Sequence, residues 1–180
     1  IAGSHAGICV GEDGATHQCC EDIALMRTIP GMVVLNPADH YEMQAAVKAA
    51  AEYVGPVYIR LGRLAVESVN NNDDYTFEIG KGITLRDGKD ITIIATGLLV
   101  QEAVKAAKAL EAAGIDARVL DIHTIKPLDT ELVLKAAQET GRIVVAEEHN
   151  VIGGLGEAVS SYLSEVCPTP VTKIGIYDEF

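Results

Sequence analysis

The sequence predicts an α/β protein of two three-layer units with mostly parallel sheets, the first of them incomplete. Three observations predict it. Short unbroken apolar runs, such as Met32-Val33-Val34-Leu35 and Val57-Tyr58-Ile59, read as strands buried on both faces. Stretches with apolar residues at i, i+3, i+4 and i+7 alternate with these runs. Gly or Pro punctuates the junctions, as at Pro30-Gly31, Gly55-Pro56, Gly114 and Gly141. Alternating strands and helices close into a parallel sheet with right-handed crossovers.

Taken in order, Ile1 to Val10 contains a strand, with Ile8 to Val10 as its buried end. The chain turns through Gly11 and Asp13-Gly14 into a helical stretch from about Thr16 that carries Ile23 to Met26. Met32–Leu35 is the second strand. Asn36-Pro37-Ala38-Asp39 then turns, with Asp39 as an N-cap for a helix whose apolar face is Met43, Ala46, Val47, Ala50 and Val54. Val57–Ile59 is the third strand, followed directly by Arg60, Gly62 and Arg63. Three strands are few for such a sheet. The first unit, residues 1–63, is therefore expected to be a part whose missing strands lie upstream or on another chain.

Residues 64–89 read as a linker. Asn70 to Asp74 is polar and turn-prone, Phe77 to Leu85 suits a hairpin or edge strand, and Arg86 to Lys89 forms a turn. The second unit, residues 90–180, runs strand Ile91–Ala95, a helix with Val100, Ala103, Val104, Ala107 and Leu110, and strand Ala117–Ile122. A helix with Leu132, Val133, Ala136 and Ala137 follows, then strand Ile143–Ala146. Gly153-Gly154-Leu155-Gly156 opens a helix with Val159, Tyr162, Leu163 and Val166, and Val171–Ile176 is the last strand.

Composition narrows the function. Hydrophobic residues make up 48% of 180, enough for a packed core, and the formal net charge is −12. An acidic chain without basic patches is a poor binder of nucleic acid or anionic membrane. No apolar run is long enough to span a bilayer. Cys9, Cys19, Cys20 and Cys167 form no CxxC pair and read as reduced thiols of a cytoplasmic protein. With His5 and His17, three of them match no standard zinc spacing.

The turn at the end of the first apolar run gathers His5, Asp13 and His17. His17 near a helix N-terminus would stay neutral and bond a hydroxyl or carbonyl, or it caps its own turn. Asp13 accepts a hydroxyl, or is a turn residue before glycine. His5 in a small-residue run and Arg60 at a strand end make a pair for an anion, Arg63 competes for that place, and each also suits a plain surface role. Gly153–Gly156 resembles part of a dinucleotide fingerprint but lacks the full spacing. Glu147-Glu148-His149 ends a strand as a site, a docking surface or, most simply, a solvated edge.

Gly11-Glu12-Asp13-Gly14-Ala15-Thr16-His17-Gln18 resembles the G-E-D-G-P-T-H-Q signature of transketolases, with Ala15 in place of proline. Ser4-His5-Ala6-Gly7 fits the same family, where deoxyxylulose-phosphate synthases usually show Asp-Arg-Ala-Gly. Asn36 to Asp39, Asp121 to Asp129, Glu147 to His149 and Gly153 to Gly156 extend the likeness over the whole length. The resemblance implies the second half of a pyrimidine-binding domain followed by a transketolase C-terminal domain, as in the C-terminal subunit of split transketolases. It implies transfer of a two-carbon ketol group from a ketose phosphate to an aldose phosphate in the pentose phosphate pathway. It also implies thiamine diphosphate with a divalent metal such as magnesium, held mostly by residues outside this chain, and an N-terminal subunit in a dimer. Carried over by position, Asp13 and His17 hold donor hydroxyls at the reaction centre, and His5 and Arg60 bind the sugar phosphate. Alone, the chain is expected to be inactive. The alternatives are a deoxyxylulose-phosphate synthase fragment and a non-catalytic docking or oligomerisation module.

Overall fold

The computed structural model describes residues 1–70 and 75–179; residues 71–74 of the expected polar turn lie outside them. The chain runs β1 (Ala2–Gly3), α1 (Asp22–Thr28), β2 (Val33–Leu35), α2 (His40–Glu52) and β3 (Val57–Arg60). It continues β4 (Ile83–Arg86), β5 (Ile91–Ala95), α3 (Leu99–Ala112), β6 (Ala117–Asp121) and β7 (Thr124–Lys126). It ends α4 (Thr130–Thr140), β8 (Ile143–Asn150), α5 (Leu155–Val166) and β9 (Val171–Ile176). Two mostly parallel sheets with flanking helices result, in the orders β1-β3-β2-β7 and β4-β6-β5-β8-β9.

Local signals explain most elements. Asp39 caps α2 by accepting the Glu42 N–H at 3.0 Å. Asp129 caps α4 through Leu132 N–H, and Gly141 ends that helix in the left-handed region at φ 65°. β5, β6, β8 and β9 pair in parallel, and the edge strand β4, from the segment expected to hold one, pairs antiparallel to β6.

The opening stretch departs from expectation. Ile8–Val10 is not the end of a strand: Ile8–Asp13 forms two short 3-10 turns broken at Gly11, where φ is 63°. Of the apolar run only Val10 is fully buried, and Ile8 faces solvent, so there is no second buried face to favour extended backbone. The helix expected from Thr16 starts at Asp22 instead. Between them the chain folds back, and Gly7 N–H bonds Cys19 O at 2.8 Å in an isolated antiparallel bridge. On α2, Val47 is exposed rather than packed, while Glu42 is fully buried; Val54, expected on the same helix, lies beyond its end and is exposed.

The second unit completes the first sheet. β7 pairs antiparallel with β2, matching Val34 with Lys126 and Leu35 with Thr124. This covers an edge that would otherwise present unpaired backbone groups. Lys126 Nζ also donates to Arg27 O at 2.9 Å and Ile29 O at 2.7 Å, closing the C-terminal end of α1. The core is shared: Ile23, Val34 and Tyr58 pack in one cluster with Ile94, Leu120, Val145 and Leu155.

A buried acidic knot joins the units behind this sheet. Asp39 Oδ2 accepts Val69 and Asn70 N–H at 2.7 and 2.8 Å, drawing the connector onto α2. Glu42 accepts from Ala38 N–H at 2.6 Å and Tyr75 O–H at 2.7 Å, and its carboxyl lies against that of Asp121 on β6. Burial raises Glu42 to about 7 and Asp121 well above the usual carboxylate range, as expected where two close carboxylates cannot both ionise.

Candidate functional site

Parallel strands gather side chains at their carboxyl ends, where α/β sheets bind ligands. β1 and β3 run side by side with Gly3 opposite Arg60, and Ala6 N–H donates to Leu61 O at 3.2 Å. This register places His5 and Arg60 at one sheet edge. The turn Ile8–Asp13 brings Asp13, and the next turn brings His17, whose N–H bonds Gly14 O at 3.0 Å. His17 therefore sits in a turn five residues before α1, not at a helix start.

His5, Asp13 and His17 are all exposed. His5 has φ 63°, the one non-glycine residue among those described to adopt the left-handed region. Such a conformation costs about 1–3 kcal/mol and persists only where the surroundings impose it. Its Nδ1 lies 3.2 Å from Ser4 Oγ. Asp13 Oδ2 stands 3.5 Å from Arg63 Nη1, and Arg63 also bonds Glu12 Oε1 at 3.2 Å and the Val10 carbonyl.

Arg60 lies differently. It is 2% exposed, its Nε is 2.9 Å from Asp22 Oδ2, and Tyr58 O–H donates to the same oxygen at 2.8 Å. Its Nη2 donates to Glu148 O at 2.7 Å and Cys19 O at 3.4 Å. The guanidinium thus ties α1, β3 and β8 together. A cleft of about 440 Å³ opens at this junction, walled by Asn36, Asp39, His40, Arg60, Leu98 and Glu148 among others. His5, Asp13 and His17 are not on its wall. All three stay exposed outside this cleft.

The residues Glu147-Glu148-His149 are not a solvated edge. All three are buried on β8, and each reaches a different element. Glu147 accepts Leu155 and Gly156 N–H at 2.7 and 2.8 Å, filling the N-terminus of α5 with an internal anion. Burial raises the Glu147 pKa, and those two N–H groups oppose the rise. A Cβ on Gly154 would lie 2.1 Å from Glu147 Oε2, so the close approach requires glycine. The glycine turn that resembled a nucleotide cradle is thus occupied by the chain's own carboxylate. Glu148 Oε1 accepts Cys9 N–H at 2.8 Å, and His149 Nε2 accepts Ala24 N–H at 3.3 Å. Burial lowers the His149 pKa and keeps the ring neutral, as that acceptor role requires. The partners of Glu148 and His149 are 139 and 125 residues away, so no local spacing could have revealed them. Asp22 was missed for the same reason.

Holding a diphosphate with a divalent metal needs a set of oxygen ligands. Among the described residues no group of three or more His, Cys, Asp or Glu is arranged to hold a metal ion. The α5 N-terminus, which suits a phosphate, already holds Glu147. The described residues do not fit that group. Among the described residues no helix is long and apolar enough to cross a membrane.

Comparison with known proteins agrees with this architecture. The family described as transketolase, pyrimidine binding domain, matches residues 1–68, and that described as transketolase, C-terminal domain, matches residues 80–180. An apulose-4-phosphate transketolase component of Phocaeicola vulgatus is 50% identical over 99% of this chain, which spans 57% of that protein. A 1-deoxy-D-xylulose-5-phosphate synthase of Heliobacterium modesticaldum is 44% identical over 95% of this chain and 27% of its own length. A solved structure titled split gene transketolase, inactive beta4 tetramer, superposes with a TM-score of 0.92 at 53% identity, over 99% of this chain and 57% of that one. The chain thus spans little more than half the length of the Phocaeicola protein and of the split gene transketolase. With both of its units matched in order, the chain belongs to the transketolase family.

Proposed function

We propose that this chain supplies the sugar-binding rim of a transketolase active site. Completed by an N-terminal transketolase section, it transfers a two-carbon ketol group from a ketose phosphate to an aldose phosphate. The observation that carries the reading is the joint placement of His5, Asp13 and His17. They stay exposed on one sheet edge while Arg60, Glu147, Glu148 and His149 beside them are drawn inward. The strained backbone of His5 supports the same reading.

Members of the family depend on thiamine diphosphate, which supplies the electron sink for the carbon–carbon bond change. Its holders are assigned to the partner section. On this chain, Asp13 accepts hydrogen bonds from substrate hydroxyls and His17 bonds a hydroxyl or carbonyl, fixing the sugar for reaction. Their exposure leaves both reachable by a substrate entering between the two sections.

The phosphate falls to His5 and an arginine. Arg60, the expected partner, has its guanidinium engaged by Asp22 and two carbonyls in the interior. Arg63 is one-third exposed beside Asp13; its ion pairs with Glu12 and Asp13 are solvent-screened, and it also donates to the Val10 carbonyl. We therefore assign the phosphate contact to His5 with Arg63, and to Arg60 the framing of the cleft.

The test is reconstitution of the chain with the N-terminal section of a split transketolase, with xylulose 5-phosphate or pyruvate as donor. Ketol transfer from the sugar phosphate, with KM raised about tenfold or more by Arg63→Ala, is expected. Turnover of pyruvate instead makes the chain part of a deoxyxylulose-phosphate synthase. The absence of both reactions would overturn the enzymatic reading.

A further inference from the structure

Glu148 belongs to the second unit, yet its side chain holds the turn that presents the first unit's candidate sugar-binding residues. It is 6% exposed, and Oε1 accepts the Cys9 N–H at 2.8 Å. Cys9 is the second residue of the Ile8–Asp13 turn, four positions before Asp13. Oε2 has no hydrogen-bond partner among the described residues, so the turn is the carboxylate's sole protein hydrogen-bond partner there. The backbone of Glu148 is itself clamped by Arg60, whose Nη2 donates to Glu148 O at 2.7 Å.

Gly7 forms the other half of the contact. A Cβ at Gly7 would meet the Glu148 carboxyl carbon and Oε1 at 2.4 Å, and the residue has φ 90°. The chain before the turn thus lies directly on the carboxylate, in a conformation and at a distance that only glycine permits. The same carboxylate presses on the Cys9 thiol, which burial and Glu148 together push up to about 12.

The other side-chain ties to the turn come from the first unit. Arg63 bridges Glu12 and Asp13 from a partly exposed position and donates to the Val10 carbonyl, and Gln18 Nε2 reaches Ile8 O at 3.2 Å near the surface. Exposed ion pairs are screened and contribute little. Hydrogen bonds with a charged partner, such as those of Glu148 to Cys9 and of Arg63 to Val10, are the stronger ones. The turn is thus held from both units, by the Arg63 guanidinium at Val10 and by the Glu148 carboxylate at Cys9, and the second unit's hold is the Glu148 contact.

We propose that Glu148 is a positioning residue, through which the C-terminal unit sets the placement of Asp13 and His17 relative to His5. The geometry stands by itself; the effect on turnover rests on the transketolase reading above.

The test uses Glu148→Ala and Glu148→Gln, in the full chain and in the assembly with the N-terminal section. In the chain, amide hydrogen exchange is read at Cys9 to Asp13, with the amides of β5 as a gauge of global stability. Glu148→Ala should speed exchange in the turn about tenfold or more while β5 is unchanged. In the assembly it should lower kcat about tenfold or more, with the donor KM changed less than about threefold. Glu148→Gln keeps an acceptor at Oε1 and should restore both readouts. Equal acceleration in β5 and the turn would reduce Glu148 to a general staple and overturn the proposal. So would unaltered exchange in the turn, a wild-type kcat in Glu148→Ala, or a Gln variant as impaired as the Ala one. A wild-type assembly without ketol transfer sinks the transketolase reading instead, and the exchange experiment then decides the positioning role.

Discussion

At the carboxyl edge of the first sheet, His5, Asp13 and His17 face solvent; at that of the second, Glu147, Glu148 and His149 are buried and bonded. Both edges follow apolar strands, both carry acids and histidine, and both adjoin a glycine turn. The Asp13-Gly14 turn leaves its charged groups open. The Gly153–Gly156 turn closes around Glu147, whose carboxylate occupies the helix N-terminus that a ligand anion would need. One edge is left open to solvent, and the other locks two units together. The lesson is that residue type at a strand end does not separate a site from a latch; burial and the identity of the partners do.

Breaking the latch should have the largest effect. Arg60→Ala leaves Asp22 buried without its cation and should destabilise the chain by about 3–5 kcal/mol in urea unfolding. A loss under about 1 kcal/mol would place Arg60 with the open edge instead. Glu147→Ala exposes two N–H groups of α5 to an empty, buried acceptor position and should cost about 1–3 kcal/mol by the same measurement.

The acidic knot sharpens the comparison through pH. Glu42 has an ordinary value of 4.5 and a folded value of about 7. Its contribution is therefore fully present below 4.5 and is lost as pH rises through about 7. Wild type should lose about 1–3 kcal/mol more than Glu42→Gln between these limits. Parallel stability curves for the two proteins would show that the carboxyl pair is not coupled to folding. The open edge should give the smallest change: His17→Ala is expected to alter stability by less than about 0.5 kcal/mol. A larger loss would mean that the open edge is structural as well.

Much of the scaffold was legible because its signals are local. Asp39, Asp129 and Gly141 mark helix ends by chemistry that acts within four residues, and β2 and β3 follow from the unbroken apolar runs Met32–Leu35 and Val57–Ile59. The run Ile8–Val10 misled because it has strand composition but only one buried residue, on a chain that must fold back from Gly7 to Cys19. β7 was not foreseen, since its partner β2 lies about ninety residues earlier and nothing within three residues specifies it. At the site, the spacing of His5, Asp13 and His17 stood in the sequence through its likeness to a signature. That Arg60 turns inward and Glu148 reaches Cys9 did not, because each depends on Asp22 or β8 arriving from elsewhere in the fold.

The central claim is that the exposed edge does the chemistry while the buried one only holds it in place. The most direct test is ketol transfer from xylulose 5-phosphate by the chain assembled with an N-terminal transketolase section, comparing wild type with His17→Ala at matched melting temperature. The account predicts transfer by wild type and a loss of about a hundredfold or more in kcat/KM for the variant. Wild-type turnover by His17→Ala would contradict it.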